Sequence, residues 1–211
     1  MSATFSTYLE FDRASETRSE YVDGRIVPMP PGDVRHAVLV SSASAVVDRA
    51  VEHLPYVVTV ATLRLQVKQG AACFYPDAMV FRDRPECFDG NDDVISNPAV
   101  IIEIGSEATD VWDRTVKFRN YRCVPSLREY VLVWPDEMCV ECYTRRDNGD
   151  WIYRASSGPD AACALESIGV CLPLAAIYRK LEFVSTPAAT PVRSRALHSH
   201  ASPSNRQSAI K

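Results

Sequence analysis

Three carboxylates occupy positions where a fold does not place charge without a reason. Asp77 follows Pro76 at the start of the apolar stretch Ala78-Met79-Val80-Phe81, and Glu103 interrupts the run Ala99-Val100-Ile101-Ile102-Glu103-Ile104. A lone ionised carboxylate taken from water costs several kcal/mol unless it is paired or holds a metal. Glu20, which opens the segment Glu20-Tyr21-Val22-Asp23-Gly24, is the third candidate. Hard oxygen donors in a chain with only 4 histidines favour Mg²⁺ or Mn²⁺ over zinc. Lys117 can supply further positive charge. Asp113, Lys117 and Tyr121 recur every four residues and so share one helix face, while Trp112 and Val116 mark a neighbouring apolar one. His36 falls in phase with the apolar face of its own helix and reads equally as an accessory to the site or as a hydrogen-bonded interior histidine. Glu20, Asp77, Glu103 and Lys117 together read as a catalytic cluster or as an inert buried salt-bridge network.

The elements that would carry these residues follow from periodicity and punctuation. Residues 6–18 read as a short polar helix, and Asp23-Gly24 suits a tight turn in a hairpin over 21–27. Asp33 is a plausible N-cap for a helix in which Val40, Ala43, Val47, Val51 and Leu54 recur at spacings of three and four, closed by Pro55. Strands are expected near 56–68 and 73–82, then a loop of Pro, Asp, Asn and Gly over 83–98. The run at 99–104 has the composition of a strand buried on both faces in mid-sheet. A helix over 110–123, a strand over 128–134, a hairpin of 138–146 with 150–156, a short strand at 168–171 and a helix over 173–183 complete the body. The order predicts an α/β fold with a mixed sheet and flanking helices.

Bulk properties agree with one globular domain over residues 1–183: 46% of residues are apolar and 24% charged, close to the averages for folded chains. No apolar stretch is long enough to span a membrane, and the N-terminus lacks a signal pattern, so a cytoplasmic location is expected. The 7 cysteines are scattered, mostly within apolar runs, as suits reduced thiols. Cys139 and Cys142 form a CxxC pair, but with no second pair or nearby histidine they read as buried and chemically silent. From Val184 to Lys211 the chain is rich in Ser, Pro and Ala, and carries Arg193, Arg195, Arg206 and Lys211 without an acid. Such a composition predicts a disordered basic tail over 184–211, either a solvated extension or an aid in attracting phosphate. The net charge of −4 therefore leaves −8 on residues 1–183, so any nucleic acid must meet a mainly acidic body.

Taken together, Glu20-Tyr21-Val22-Asp23-Gly24, Arg35-His36, Tyr75-Pro76-Asp77, Ile102-Glu103-Ile104 with Ser106, Asp113-Arg114 with Lys117 and Tyr121, and Pro125 to Val133 resemble the Uma2 family of restriction-endonuclease-like proteins. The resemblance covers roughly residues 5–183. It implies a PD-(D/E)XK nuclease core in which Asp77 and Glu103 hold Mg²⁺, Glu20 assists, and Lys117 replaces the lysine that commonly follows the glutamate by two. That place is Gly105 here, which has no side chain. Gly105, Thr115 and Val116 depart from the family pattern, where a larger apolar residue, glycine and glutamate are expected. The implied activity is Mg²⁺-dependent endonucleolytic hydrolysis of phosphodiesters, in DNA before RNA, with a homodimer as the arrangement that would cut two strands. The competing expectation is a catalytically silent nuclease-fold protein that binds a regulatory partner.

Overall fold

The computed structural model describes residues 2–183; the basic tail lies outside the described residues. Helix α1, Phe5–Ala14, begins at Thr4, whose hydroxyl accepts the amide of Thr7 at 3.1 Å. It ends four residues before the expected boundary, because Ser15 turns extended and the Asp12 carboxylate takes the amide of Ser19 at 2.7 Å, pulling the chain into a strand. That strand, β1 (Ser19–Val22), pairs with β2 (Arg25–Pro28) across Asp23 and Gly24. Both turn residues have positive φ, 48° and 84°, as a two-residue hairpin turn of the right twist requires. Helix α2, Val34–Val51, starts as expected at Asp33, whose carboxylate accepts the His36 amide at 2.8 Å.

The two expected β segments each divide, and their halves go to different sheets. The first yields β3 (Tyr56–Val60) and β4 (Arg64–Val67), and the second β5 (Ala72–Phe74) and β6 (Ala78–Arg82). The stretch 83–98, expected as a loop, contains β7 (Cys87–Phe88) and β8 (Asn91–Ile95). Local composition is polar there, but Val94 and Ile95 are buried under the neighbouring layers, and tertiary burial overrides propensity. Then follow β9 (Val100–Ile104), β10 (Glu129–Trp134), β11 (Cys139–Arg145) and β12 (Trp151–Ser157). A hairpin of β13 (Ala162–Leu165) with β14 (Val170–Pro173) precedes the short helix α4, Leu174–Tyr178. Between β9 and β10, helix α3 is π-helical over Trp112–Lys117 and α-helical over Phe118–Tyr121.

The first sheet has the order β2-β1-β5-β4-β8-β7 and the second β12-β11-β10-β9-β6-β3, so β9 lies inside its sheet, parallel to β10 and antiparallel to β6. Its residues alternate between two cores. Val100, Ile102 and Ile104 pack with Leu39, Val47 and Val51 of α2 and with the β13–β14 hairpin. Ile101 shares the other core with Val22, Phe74, Met79, Tyr121 and Tyr130, between the two sheets and α3. A third cluster, Tyr8, Leu9, Tyr21, Cys73 and Val94, seats α1 on the outer face of the first sheet. Cys139 and Cys142 are three apart on β11 and point to opposite faces, which makes them no CxxC pair in space. No helix among the described residues is long and apolar enough to cross a membrane.

Candidate active site

Glu103 falls in the phase of Ile101 and points into the core between the sheets, where no apolar partner satisfies it. Its surroundings instead come from α3. Tyr121 donates its hydroxyl to Glu103 Oε1 at 2.7 Å, and Lys117 Nζ lies 3.0 Å from the same oxygen. Lys117 is also 3.3 Å from Asp113 Oδ1 and 3.4 Å from Glu20 Oε1. Glu20 arrives from β1 on the side of Val22, and the indole N–H of Trp112 donates to its Oε2 at 2.8 Å. Glu20, Glu103, Asp113 and Lys117 are each buried, none more than 7% exposed.

Asp77 completes the group from the position just before β6. The β6–β9 register pairs Ala78 with Ile102, and its continuation by one residue sets Asp77 opposite Glu103 on the same face. Asp77 Oδ2 accepts the amide of Ile104 at 2.8 Å and lies 3.2 Å from His36 Nε2. His36, in the first turn of α2, is therefore at the site's edge and not an interior histidine. Side-chain exposure is 14% for Asp77 and 30% for His36, so solvent reaches the cluster from their end. Neighbouring Arg35 is occupied structurally, donating to the carbonyls of Pro135 and Glu182.

The electrostatics are unbalanced. Burial pushes the Glu103 carboxyl well above the usual carboxylate range, Lys117 opposing and Asp77 and Asp113 adding to the rise. Burial works against the Lys117 charge, but Glu103, Glu20, Asp113 and Asp77 outweigh it and hold its pKa well above the ordinary lysine value. Tyr121 is raised by burial and by Glu103, and so stays a hydroxyl donor. The hydrogen bond to Asp77 raises His36 against the opposing effect of burial. One ammonium faces four carboxylates, and this excess must be met by a proton or by another cation. Glu20 Oε1 and Asp113 Oδ1 are buried without a well-directed hydrogen bond, although both are within ion-pair distance of Lys117.

These features fit a hard divalent cation. Among the described residues no three His, Cys, Asp or Glu side chains form a ready cage. Mg²⁺ does not need one, because it commonly takes one or two carboxylates and completes its shell with water and substrate phosphate.

Gly105, two residues after Glu103 and on the same face, has no room for a side chain. A Cβ there would stand 2.7 Å from the Trp134 ring. Trp134 is itself covered by the Arg114 guanidinium at 4.7 Å, which Asp110 and Glu141 hold in ion pairs. The place on the strand that a lysine would take is thus filled by an indole, and the positive charge enters from α3. Sequence reading missed Trp134 altogether and the contacts of two others, Trp112 to Glu20 and Arg114 to Trp134. Trp112 looked like part of an apolar stripe, and nothing local to Trp134 or Arg114 signals a role beside Gly105.

Comparison with known proteins adds an independent line. The family profile described as "Putative restriction endonuclease" matches residues 5–174. Two Synechocystis proteins are similar: sll1609 is 29% identical over 160 residues, covering 75% of this chain and 89% of its own length. The second, slr1290, is 29% identical over 182 residues, covering 83% of this chain and 91% of its own length. A solved structure from Anabaena variabilis, described as "a putative nuclease belonging to DUF820", superposes with a TM-score of 0.66 at 21% identity, over 83% of this chain and 97% of that one. At that identity the likeness speaks for the fold alone. With its profile matched over most of the domain, this chain belongs to the Uma2 family.

Proposed function

We propose that this protein is a Mg²⁺-dependent endonuclease that hydrolyses phosphodiester bonds in nucleic acid, DNA first. The observation that carries the reading is the meeting of Glu20, Glu103 and Asp113 on Lys117, with Asp77 in register opposite Glu103. Asp77 and Glu103 would hold Mg²⁺, or Mn²⁺ in its place, and the bound ion supplies a Lewis acid for the phosphoryl oxygens and a lowered pKa for nearby water. Lys117 orients the attacking water or offsets charge developing on the phosphoryl group. Glu20 adds a further oxygen donor, fixed in direction by Trp112. Tyr121 and Asp113 hold Glu103 and Lys117 in place, and His36 fixes one oxygen of Asp77. The scissile phosphate enters from the Asp77 and His36 side, the more open end of the cluster.

The test is thermal unfolding with and without millimolar MgCl₂ or MnCl₂, run beside a cleavage assay. A cation at about 100 times its Kd stabilises the folded state by about 2.7 kcal/mol. Wild type should gain this and cut DNA only with metal, while Asp77→Ala loses both effects. No metal-induced shift and no cleavage by folded protein would sink the reading. The acidic body favours a second reading, a silent nuclease-fold protein that binds a partner; partner binding intact in Lys117→Ala, without turnover in wild type, is its signature.

A further inference from the structure

Four arginines from three neighbouring strands and their flanks meet on one groove. Arg128 precedes β10, Arg145 ends β11 and Arg146 follows it, and Arg154 lies in β12; together they line a groove of about 450 Å³. The carboxylates lining it are Asp147 and Glu166, leaving it net positive on a body of the opposite sign. Both acids make exposed pairs, Arg154 with Glu166, and Arg128 with Asp147 at 3.9 Å. Exposed pairs contribute roughly 0–1 kcal/mol, so an incoming anion exchanges for them readily. Arg146 has no ion-pair partner among the described residues. Arg145 lies over the Trp151 ring at 5.7 Å and donates to the carbonyl of Val124.

The groove's wall is fixed. The buried Glu129 carboxylate accepts the amides of Glu166 and Ser167 at 2.7 and 3.3 Å, together with the Ser167 hydroxyl. Those donors take up its charge and pin the β13–β14 turn beside the arginines. Guanidinium forks match phosphate oxygens in geometry as well as charge.

We infer that this groove binds the phosphodiester backbone of the nucleic acid and anchors the substrate away from the cut. The inference rests on the nuclease reading. Glu129 pairs with Val100 on β9, three residues from Glu103, which is roughly 10 Å along a strand. Its phase is that of Val131 and Val133, facing the α2 side, whereas Glu103 faces α3. The groove therefore holds a flank of the substrate and not the scissile phosphate. The arrangement answers the charge problem of the body: among the described residues this groove sets a net positive lining on a chain segment of net negative charge, where a polyanion can dock.

The experiment is fluorescence polarisation of labelled duplex and single-stranded DNA against NaCl concentration, without divalent metal, on wild type, Asp77→Ala and the double variant Arg146→Glu, Arg154→Ala. The groove predicts that wild type and Asp77→Ala bind alike, while the double variant binds on the order of tenfold more weakly. Its salt slope should also flatten by about two phosphate contacts. With Mg²⁺ its KM rises and kcat stays. Arg146→Glu alone, which breaks no ion pair, serves if the double variant unfolds. Undiminished binding by the variants overturns the groove, as does binding that disappears in Asp77→Ala. Metal-dependent cleavage without detectable binding by wild type overturns the groove and leaves the nuclease reading; neither binding nor cleavage overturns both.

Discussion

Gly105 shows how one side chain's absence sets the chemistry of its neighbours. A methyl group there meets the edge of an indole ring held under Arg114, which is not free to swing away. Gly105→Ala should destabilise the fold by about 1–3 kcal/mol, as overpacking does. The loss should shrink when Trp134→Leu is added, and urea titration of the two single variants and the double one reads the coupling. Lys117 poses the reverse problem. Its removal leaves Glu20, Glu103 and Asp113 buried without their shared cation, so Lys117→Ala should lose about 3–5 kcal/mol. Neutralising one acid with Glu103→Gln should recover part of that loss, and a double variant no more stable than Lys117→Ala would show that repulsion is not the cause. Of the candidate site's residues, Glu103 was legible because a charge within an apolar run is an anomaly, Asp77 because it stands at the head of one, and Glu20 and Lys117 through their place in the family pattern. Trp112 and Trp134 were not, since their contacts join positions 92 and 29 residues apart.

The elements differ in how plainly they announce themselves. Helix α2 and the first hairpin were readable because their signals are local, a capping Asp33 and the Asp23-Gly24 turn. Strands β7, β8 and β13 were not, because they are only two to five residues long and carry too few apolar positions to show a period of two. The division of the strands between two sheets, and the π-helical turn over Trp112–Lys117, likewise depend on packing that no window of sequence contains. Helix α1 is joined to its sheet by charge as well as by aromatic packing. Arg64 holds Asp12 at 2.7 Å, and both Arg13 and Arg64 hold Asp93. The Arg13 hydrogen bond, helped by Arg64, keeps the Asp93 carboxyl below its usual range. A lowered acid contributes stability in full above its unfolded pKa, about 3.9, and loses it as pH falls through the lower folded value. Asp93→Asn should therefore be less stable at neutral pH and flatter in its acid limb below about pH 4. Chemical denaturation at several pH values checks this, and parallel curves for both proteins would refute it.

At the scale of the whole molecule, the layers give the carboxylates a dry floor and leave one side open to solvent, while the arginine groove stands around the sheet's edge. Metal and nucleic acid should consequently respond to different variants: substitutions at Asp77 abolish metal-induced stabilisation and leave backbone binding, and substitutions at Arg146 do the opposite. A protein in which both properties fell together would not have two separate sites. The α/β class was legible from periodicity and composition, but the groove was not, because its arginines come from three strands and their flanks, which only the folded sheet brings together.

The indole beside Gly105 also decides the order in which the molecule fails. A lysine on β9 would share the backbone of Glu103 and could part from it only if the sheet came apart. Lys117 instead rides on a short helical segment that only side chains such as Tyr121 join to the sheets, whereas β9 is hydrogen-bonded to a strand on either side, so the segment can part from the sheet while the sheet stands. Native-state hydrogen exchange should find the amides of residues 116–121 opening at lower free energy than those of Val100 to Ile104. On gentle warming the ammonium then leaves its acids while both sheets still stand, and the chemistry is lost at a temperature where the architecture survives.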